Sequence, residues 1–259
     1  LPRPFPSTAR ALPALLLAGV AALTLSACAS NRTGPRTPDY SDQSAAEAQV
    51  TLGDLAARFR ASPRDKATVI RYAAALRAAG QAEQAIAALE GALGAHGDDV
   101  DIRIAYAKAL SAGGRFERAL NVIESAIDPA IPDWNALSVK GAVLDQTGRN
   151  EEARLLYRQA LLMAPEEASL YANLGLSYAM TNELAEAEAH LRRAAGTRGA
   201  TSKIRQNLAL VVGLQGRFEE CRLLFAAELP EDQVEVNLSY IRALLTQQNR
   251  WELIKGAKG

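Results

Sequence analysis

The sequence predicts an all-α solenoid in which pairs of antiparallel helices stack one on the next. Three observations carry that expectation. Blocks of 34 residues beginning at Lys66, Val100, Trp134, Ala168 and Ser202 follow one another without a gap, and a fixed period of this length marks stacked supersecondary units. The fifteenth residue of each block is Gly80, Gly114, Gly148, Asn182 or Gly216, residue types that end a helix in the left-handed conformation. Small residues recur at the eighth place (Ala73, Ala107, Gly141, Gly175, Ala209) and at the twentieth (Ala85, Ala119, Ala153, Ala187, Cys221). Those are the places where the two helices of a block would touch, since close axial approach leaves no room for a larger side chain.

Composition agrees. Of 259 residues, 49% are apolar and only 5% aromatic, which gives a core of aliphatic and small side chains. The 29 basic residues balance 29 acidic ones, so the net positive charge of a nucleic-acid footprint is absent. Two cysteines do not make a disulfide framework, and no Cys/His cluster has metal-ligand spacing.

The first 27 residues read as an address. Arg3 and Arg10 precede an uncharged stretch from Leu12 to Leu25, which ends in Leu25-Ser26-Ala27-Cys28. A spanning helix over residues 11–31 would be interrupted by Pro13 and Gly19. The closing run resembles the lipobox of bacterial lipoproteins. That resemblance implies a signal peptide over 1–27, cleavage before Cys28, and acylation of its thiol. Ala29, in place of Asp, resembles the outer-membrane sorting class. Without the signal, 27 basic residues face 29 acidic ones, so attraction to anionic lipid is not the expected anchor. Residues 28–44, with Gly34, Pro35 and Pro38 and no apolar periodicity, read as a flexible tether.

The remaining elements follow in order. Residues 45–65 carry Val50, Leu52, Leu55, Ala56 and Phe59 at helical spacing before Pro63, which reads as an amino-terminal packing helix. Residues 66–235 hold the five blocks. Position eighteen supplies Glu83, Glu117, Glu151 and Glu219, acids suited to the first turn of a second helix. Pro129, Pro132, Pro165 and Pro230 separate blocks. Residues 236–259, with Leu238, Tyr240, Ile241, Leu244, Leu245, Trp251 and Ile254, read as a closing helix or helix pair, because the ends of a solenoid must cover their neighbour's apolar face. The period resembles the tetratricopeptide repeat, most fully in Ala168 to Thr201 through Tyr171, Leu174, Gly175, Tyr178, Ala187, Leu191 and Ala194. The resemblance implies a right-handed superhelix of helix-turn-helix pairs.

No catalytic constellation is legible. His96 and His190 fall in different blocks, and no zinc-protease, phosphate-loop or serine-elbow run occurs. Asp98, Asp99 and Asp101 precede a helix, where capping accounts for them. Cys221 sits at a packed small position and reads as an inert thiol. The expectation is a protein that is not an enzyme and that carries no cofactor or metal beyond the acyl chains on Cys28.

Repeats of the resembled kind bind partners on a concave wall formed by the first helix of each block. Carried onto this sequence, those places are more polar in blocks two and three (Asp101, Lys108, Asn135, Ser138, Asp145) and more apolar in blocks four and five. A peptide-binding groove is therefore expected at Asn173, Leu176, Met180, Lys203, Gln206, Asn207 and Leu210. Asn173 and Lys203 match two places of the carboxylate clamp some relatives carry, but Ser138, Ala142 and Asn207 depart from it, and no clamp is expected.

The runs from Ile204 to Leu210, Gly216 to Glu220, Leu229-Pro230 and Asn237 to Leu244 resemble the TadD-type lipoproteins of tight-adherence (Flp) pilus assembly. That resemblance implies a periplasmic factor anchored in the outer membrane. It would act as a scaffold or pilotin whose partner is the outer-membrane secretin or another pilus component. It implies membrane contact through the lipid, no nucleic acid and no small-molecule substrate. Two alternatives stand beside it: a scaffold for another envelope machine, such as barrel assembly or another pilus, and an activator of a cell-wall enzyme.

Overall fold

A 34-residue period becomes a stack because four of the five first helices begin on a side-chain cap and each first helix is closed by a residue free to turn left-handed. The computed structural model describes residue 40 and residues 45–256, with side chains at 40 and over 46–246. The signal peptide 1–27, the acylated Cys28 and the tether other than Tyr40 lie outside the described residues. Tyr40 is half-buried against the first core cluster.

Twelve α-helices and no strand occur among the described residues. An amino-terminal helix α1 (Ala45–Ala61) is followed by the pairs α2 (Lys66–Ala78) with α3 (Ala82–His96) and α4 (Val100–Ala112) with α5 (Phe116–Glu124). Then come α6 (Trp134–Gln146) with α7 (Asn150–Met163), α8 (Ala168–Met180) with α9 (Leu184–Gly196), α10 (Ser202–Leu214) with α11 (Phe218–Ala226), and the long α12 (Glu231–Gly256). The first residue of each 34-residue block is the first residue of a helix.

The residue before each of those starts explains the agreement. Asp65 accepts a hydrogen bond from the Thr68 N–H at 2.8 Å, Asp99 from the Asp101 and Ile102 N–H groups, Asp133 from those of Asn135 and Ala136, and the Thr201 hydroxyl from the Ile204 N–H. Each cap satisfies donors that the first turn leaves unpaired. Glu167, one methylene longer than Asp, makes no such cap. Asp99 and Asp101 also hold the Lys66 ammonium, at 2.7 and 2.6 Å. Burial opposes ionisation of Asp99, but Lys66 and the two backbone donors outweigh it and keep the carboxyl below its ordinary range.

At the other end of the first helices, Gly80, Gly114, Gly148 and Gly216 have φ between 72° and 80°, and Asn182 has φ 63°. Opposite outcomes for two glycine substitutions test this reading. A Cβ at Gly148 meets nothing within 4 Å, so Gly148→Ala should cost about 1 kcal/mol through backbone strain alone. Gly91 lies in the body of α3 with equally open surroundings, and Gly91→Ala should add about 0.5–1 kcal/mol. Urea midpoints moving in the same direction for both would reject it.

Helix pairs approach closely where small residues were expected. A Cβ at Gly141 would lie 2.7 Å from the Tyr157 ring, and one at Gly175 would lie 2.8 Å from Leu191 Cγ and 2.9 Å from the Ala187 carbonyl oxygen. Ala73, Ala107 and Ala209 are fully enclosed at the same place. Leu52 and Leu55 attach α1 to the first pair, with Phe59 stacked on Tyr72 at 4.9 Å.

The fifth unit departs from the period. Ile204, Leu208 and Val211 face the core from α10, and Val234, Leu238 and Ile241 repeat that spacing from α12 only 30 residues later. α11 has 9 residues where α9 has 13, one helical turn fewer, and whereas α5, also 9 residues long, is followed by a nine-residue link (125–133) that restores the period, only four residues (227–230) follow α11. The closing helix therefore begins at Glu231 rather than after residue 235.

Outer ion pairs tie α9 to the fifth unit. Glu188 receives Arg217 at 2.6 Å, Arg192 at 2.7 Å and the Gln215 amide at 2.8 Å. Burial alone would raise its pKa, but these three donors bring it down to about 2 from an ordinary 4.5. A depressed carboxylate stabilises the fold above its unfolded-state pKa and loses that contribution as pH falls through the folded value. The stability gap between the native chain and Glu188→Gln should thus be full above about pH 5 and close as pH approaches about 2. A gap independent of pH in denaturant titrations would contradict the assignment.

Candidate protein-binding groove

Successive first helices α2, α4, α6, α8 and α10 lie against one another, while the backbones of successive second helices do not approach. A stack that is tight on one side and open on the other curves, and the tight side becomes the inner wall. Along it runs a cleft of about 950 Å³, from Arg77 on α2 to Asn207 on α10.

Its volume comes from small side chains. Ser111, Ala112, Ser138, Ala142 and Ala172 line the floor, and Trp134 and Leu176 supply apolar surface. Polar rungs link neighbouring first helices: Lys108 Nζ donates to Asn135 Oδ1 at 3.1 Å, and Asn173 Nδ2 to Ser138 Oγ at 3.1 Å. Side-chain amides and hydroxyls set one helix apart from the next provide donors and acceptors at intervals along the wall, an arrangement that fits an extended backbone.

Of the seven residues expected in the groove, Asn173, Leu176, Lys203 and Asn207 line this cleft. Met180, Gln206 and Leu210 do not. Met180 is exposed at the far end of α8, with the Asn150 amide 3.9 Å from its sulfur. Gln206 is bonded to Ser202 within α10 at 3.0 Å. Leu210 packs against the carboxyl-terminal core cluster. The cleft thus centres on α4, α6 and α8 rather than on the apolar carboxyl-terminal half, because large side chains such as Leu210 and Leu214 occupy the inner positions there.

A buried polar group lies behind the wall, and the sequence reading missed it. Asp145, 5% exposed, accepts from the Tyr157 hydroxyl at 2.9 Å, the Ser177 hydroxyl at 2.7 Å and the Asn150 amide at 2.8 Å. Arg154, 2% exposed, donates to Ser177 Oγ and to its carbonyl oxygen, to Glu151 at 2.7 Å and to Glu183 at 2.9 Å, and also bonds the Thr181 hydroxyl. Its guanidinium lies 4.0 Å from the centre of the Tyr178 ring. Burial, then the neighbouring Asp145 charge, push the Tyr157 hydroxyl far above its ordinary pKa, so it remains a donor. One signal was available in the sequence: Arg154 occupies the period position that Ile86 and Leu120 fill with buried apolar side chains.

The reactive residue types do not converge. His96 bonds the Arg64 carbonyl oxygen at 2.8 Å, whereas His190 stacks on Tyr178 at 5.4 Å. Burial first, then Arg158, lower the His190 pKa. Cys221 is buried against Gly213, and desolvation pushes its thiol up to about 11, away from the thiolate. Among the described residues no group of three His, Cys, Asp or Glu side chains is placed to hold a metal ion, and no helix is long and apolar enough to cross a membrane.

Two family profiles, both described as tetratricopeptide repeat, match residues 76–136 and 139–202. Among curated proteins none matches the chain in sequence. Solved structures share the fold. A thermophilic tetratricopeptide protein of Thermus thermophilus is similar at 23% identity and TM-score 0.60, over 68% of this chain and 97% of that one. PilW, a widely conserved type IV pilus biogenesis factor, is similar at 14% identity and TM-score 0.55, over 77% of this chain and 91% of its own. The human IFIT1 dimer with PPP-AAAA is similar at 15% identity and TM-score 0.58, over 71% of this chain and 46% of its own. With the helix pairs, the left-handed closures and the inner cleft, these matches show an all-α solenoid of tetratricopeptide repeats, a fold suited to holding another protein.

Proposed function

We propose that this protein is a lipid-anchored periplasmic scaffold of the TadD type. In this reading it acts in the assembly of a tight-adherence pilus by capturing a segment of the outer-membrane secretin or of a neighbouring pilus component. The observation that carries the proposal is the cleft on the inner wall, with its amide and hydroxyl rungs. Support for the anchor comes from the run ending in Cys28, and support for the pilus from the TadD-like runs of α10 and α12. PilW, whose fold is shared, is itself a pilus biogenesis factor.

Mechanistically, the acyl chains on Cys28 hold the protein at the inner leaflet of the outer membrane, and the segment to residue 44 sets its reach. The inner wall binds an extended segment through backbone-directed amides and through Leu176 and Trp134. Confinement at the membrane raises the effective concentration of wall and target, so modest contacts suffice. The chain orients and retains its partner and performs no bond-making step.

Cys28→Ala is expected to leave the solenoid folded but move it from the membrane fraction, with loss of surface pili. Leu176→Glu combined with Asn173→Ala should keep membrane retention and lower secretin capture at least about tenfold, equivalent to about 1.4 kcal/mol. Normal piliation by the unanchored variant would overturn the anchor, and undiminished capture by the folded cleft variant would overturn the groove.

A further inference from the structure

α12 is built as a first helix, yet among the described residues nothing stacks on it as each first helix stacks on the one before. The buried register identifies its positions. Asn173-Leu174 and Asn207-Leu208 stand at one place in their repeats, and Asn237-Leu238 repeats it 30 residues after the second. On earlier helices the residues reaching the next first helix include Lys108, which bonds Asn135, Ser138, which bonds Asn173, and Asp145, which bonds Ser177. The equivalent places on α12 are Val236, Tyr240 and Ala243. Where Ile70, Ile104 and Ala172 are at most 4% exposed, their counterpart Val236 is 68% exposed, and Tyr240 is 61% exposed. Ser239, between them, and Ala243, one turn past Tyr240, are also exposed. These four residues form one apolar face of about two turns, with large and small side chains in alternation.

We propose that a second copy of this chain covers that face, with α12 packed antiparallel on α12 across a two-fold axis passing between Ser239 and Tyr240. Self-complementarity argues for this occupant. In that register Val236 of one copy faces Ala243 of the other, and Tyr240 faces Ser239, so bulk meets space twice across the axis. Charge gives the same answer. Along the described side chains of α12 the acids Glu231, Asp232 and Glu235 come first and Arg242 follows them. In this antiparallel register Arg242 of one copy faces Asn237 of the other, two residues from Glu235, which also pairs with Arg222 of its own copy, whereas parallel pairing would oppose acids to acids. The face is small, so the dimer is a weak one. The proposal is independent of the groove and of its ligand.

Ser239 stands immediately beside the two-fold axis, one helical rise (~1.5 Å) along the helix from its own copy, which makes a single cysteine there diagnostic. In the full chain expressed with its anchor, Ser239→Cys should form a disulfide-linked dimer under mild oxidation, and Leu162→Cys, likewise exposed, on α7, should not. Adding Val236→Glu or Arg242→Glu to Ser239→Cys should lower dimer yield at least about tenfold, and Glu235→Arg together with Arg242→Glu should restore it. Circular-dichroism melts establish that each variant is folded. Equal dimer from Leu162→Cys and Ser239→Cys, or a yield indifferent to Val236→Glu, would overturn the proposal, as would capture of a different protein at Ser239→Cys.

Discussion

Asp145→Ala is expected to destabilise the solenoid by about 3 kcal/mol, because it strands two buried hydroxyls at once. Tyr157 and Ser177 both end on this carboxylate, and neither has water within reach, being 1% and 0% exposed. Asp145→Asn keeps an acceptor oxygen and should cost about 1 kcal/mol. Adding Tyr157→Phe to Asp145→Ala removes one orphaned donor and should recover part of the loss, although Tyr157→Phe alone is destabilising. That sign reversal is the deciding measurement in a double-mutant cycle. Additive losses would mean that the hydroxyl and the carboxylate do not depend on each other.

Overpacking at the closest helix contact should produce a loss of similar size. Gly175→Val places a branched side chain where even a single methyl would come within 2.9 Å of the Ala187 carbonyl oxygen. A flexible neighbour could rotate away, but a backbone oxygen moves only if α9 moves, and α9 is tied to the start of α11 through Glu188 with Arg217 and Arg192 with Glu220. We expect about 3 kcal/mol of destabilisation, read as a lower urea midpoint with an unchanged slope. Ala187→Gly should relieve little of it, since the obstructing atom belongs to the main chain. An unfolding midpoint within experimental scatter of the native one would show that α8 and α9 are further apart than described.

Much of this fold was legible because its determinants are local. Asp65, Asp99 and Asp133 mark helix starts by short-range capping, and the glycines of the fifteenth position mark helix ends by backbone sterics, so neither needs tertiary information. The cleft was legible in part: Asn173, Leu176, Lys203 and Asn207 follow from their register. Whether an inner position is open or filled, however, depends on side chains one helix away. Ala142 leaves space that Leu210 closes, and periodicity alone does not weigh the two. The shortened fifth unit was written in the sequence as the 30-residue return of Asn-Leu at Asn237-Leu238, but the gapless match of the preceding blocks obscured it. Arg154 was invisible for another reason. Its burial depends on Ser177, Thr181 and Glu183 from the following unit, and no local rule announces such a partnership.

The hydrocarbon core falls mainly into two clusters along the stack, joined through Tyr178, which packs against both. One large cluster reaches from Leu52 to Leu174 and another from Ala168 to Ile241, and the Asp145–Arg154 group sits where they meet. Greasy contacts tolerate sliding and rotation, whereas hydrogen bonds demand particular angles. The middle of the molecule therefore behaves as a keyed joint between two softer springs, setting the pitch that the inner wall presents. Amide exchange should report two blocks of protection that open separately, each fraying from its outer end toward a shared hub.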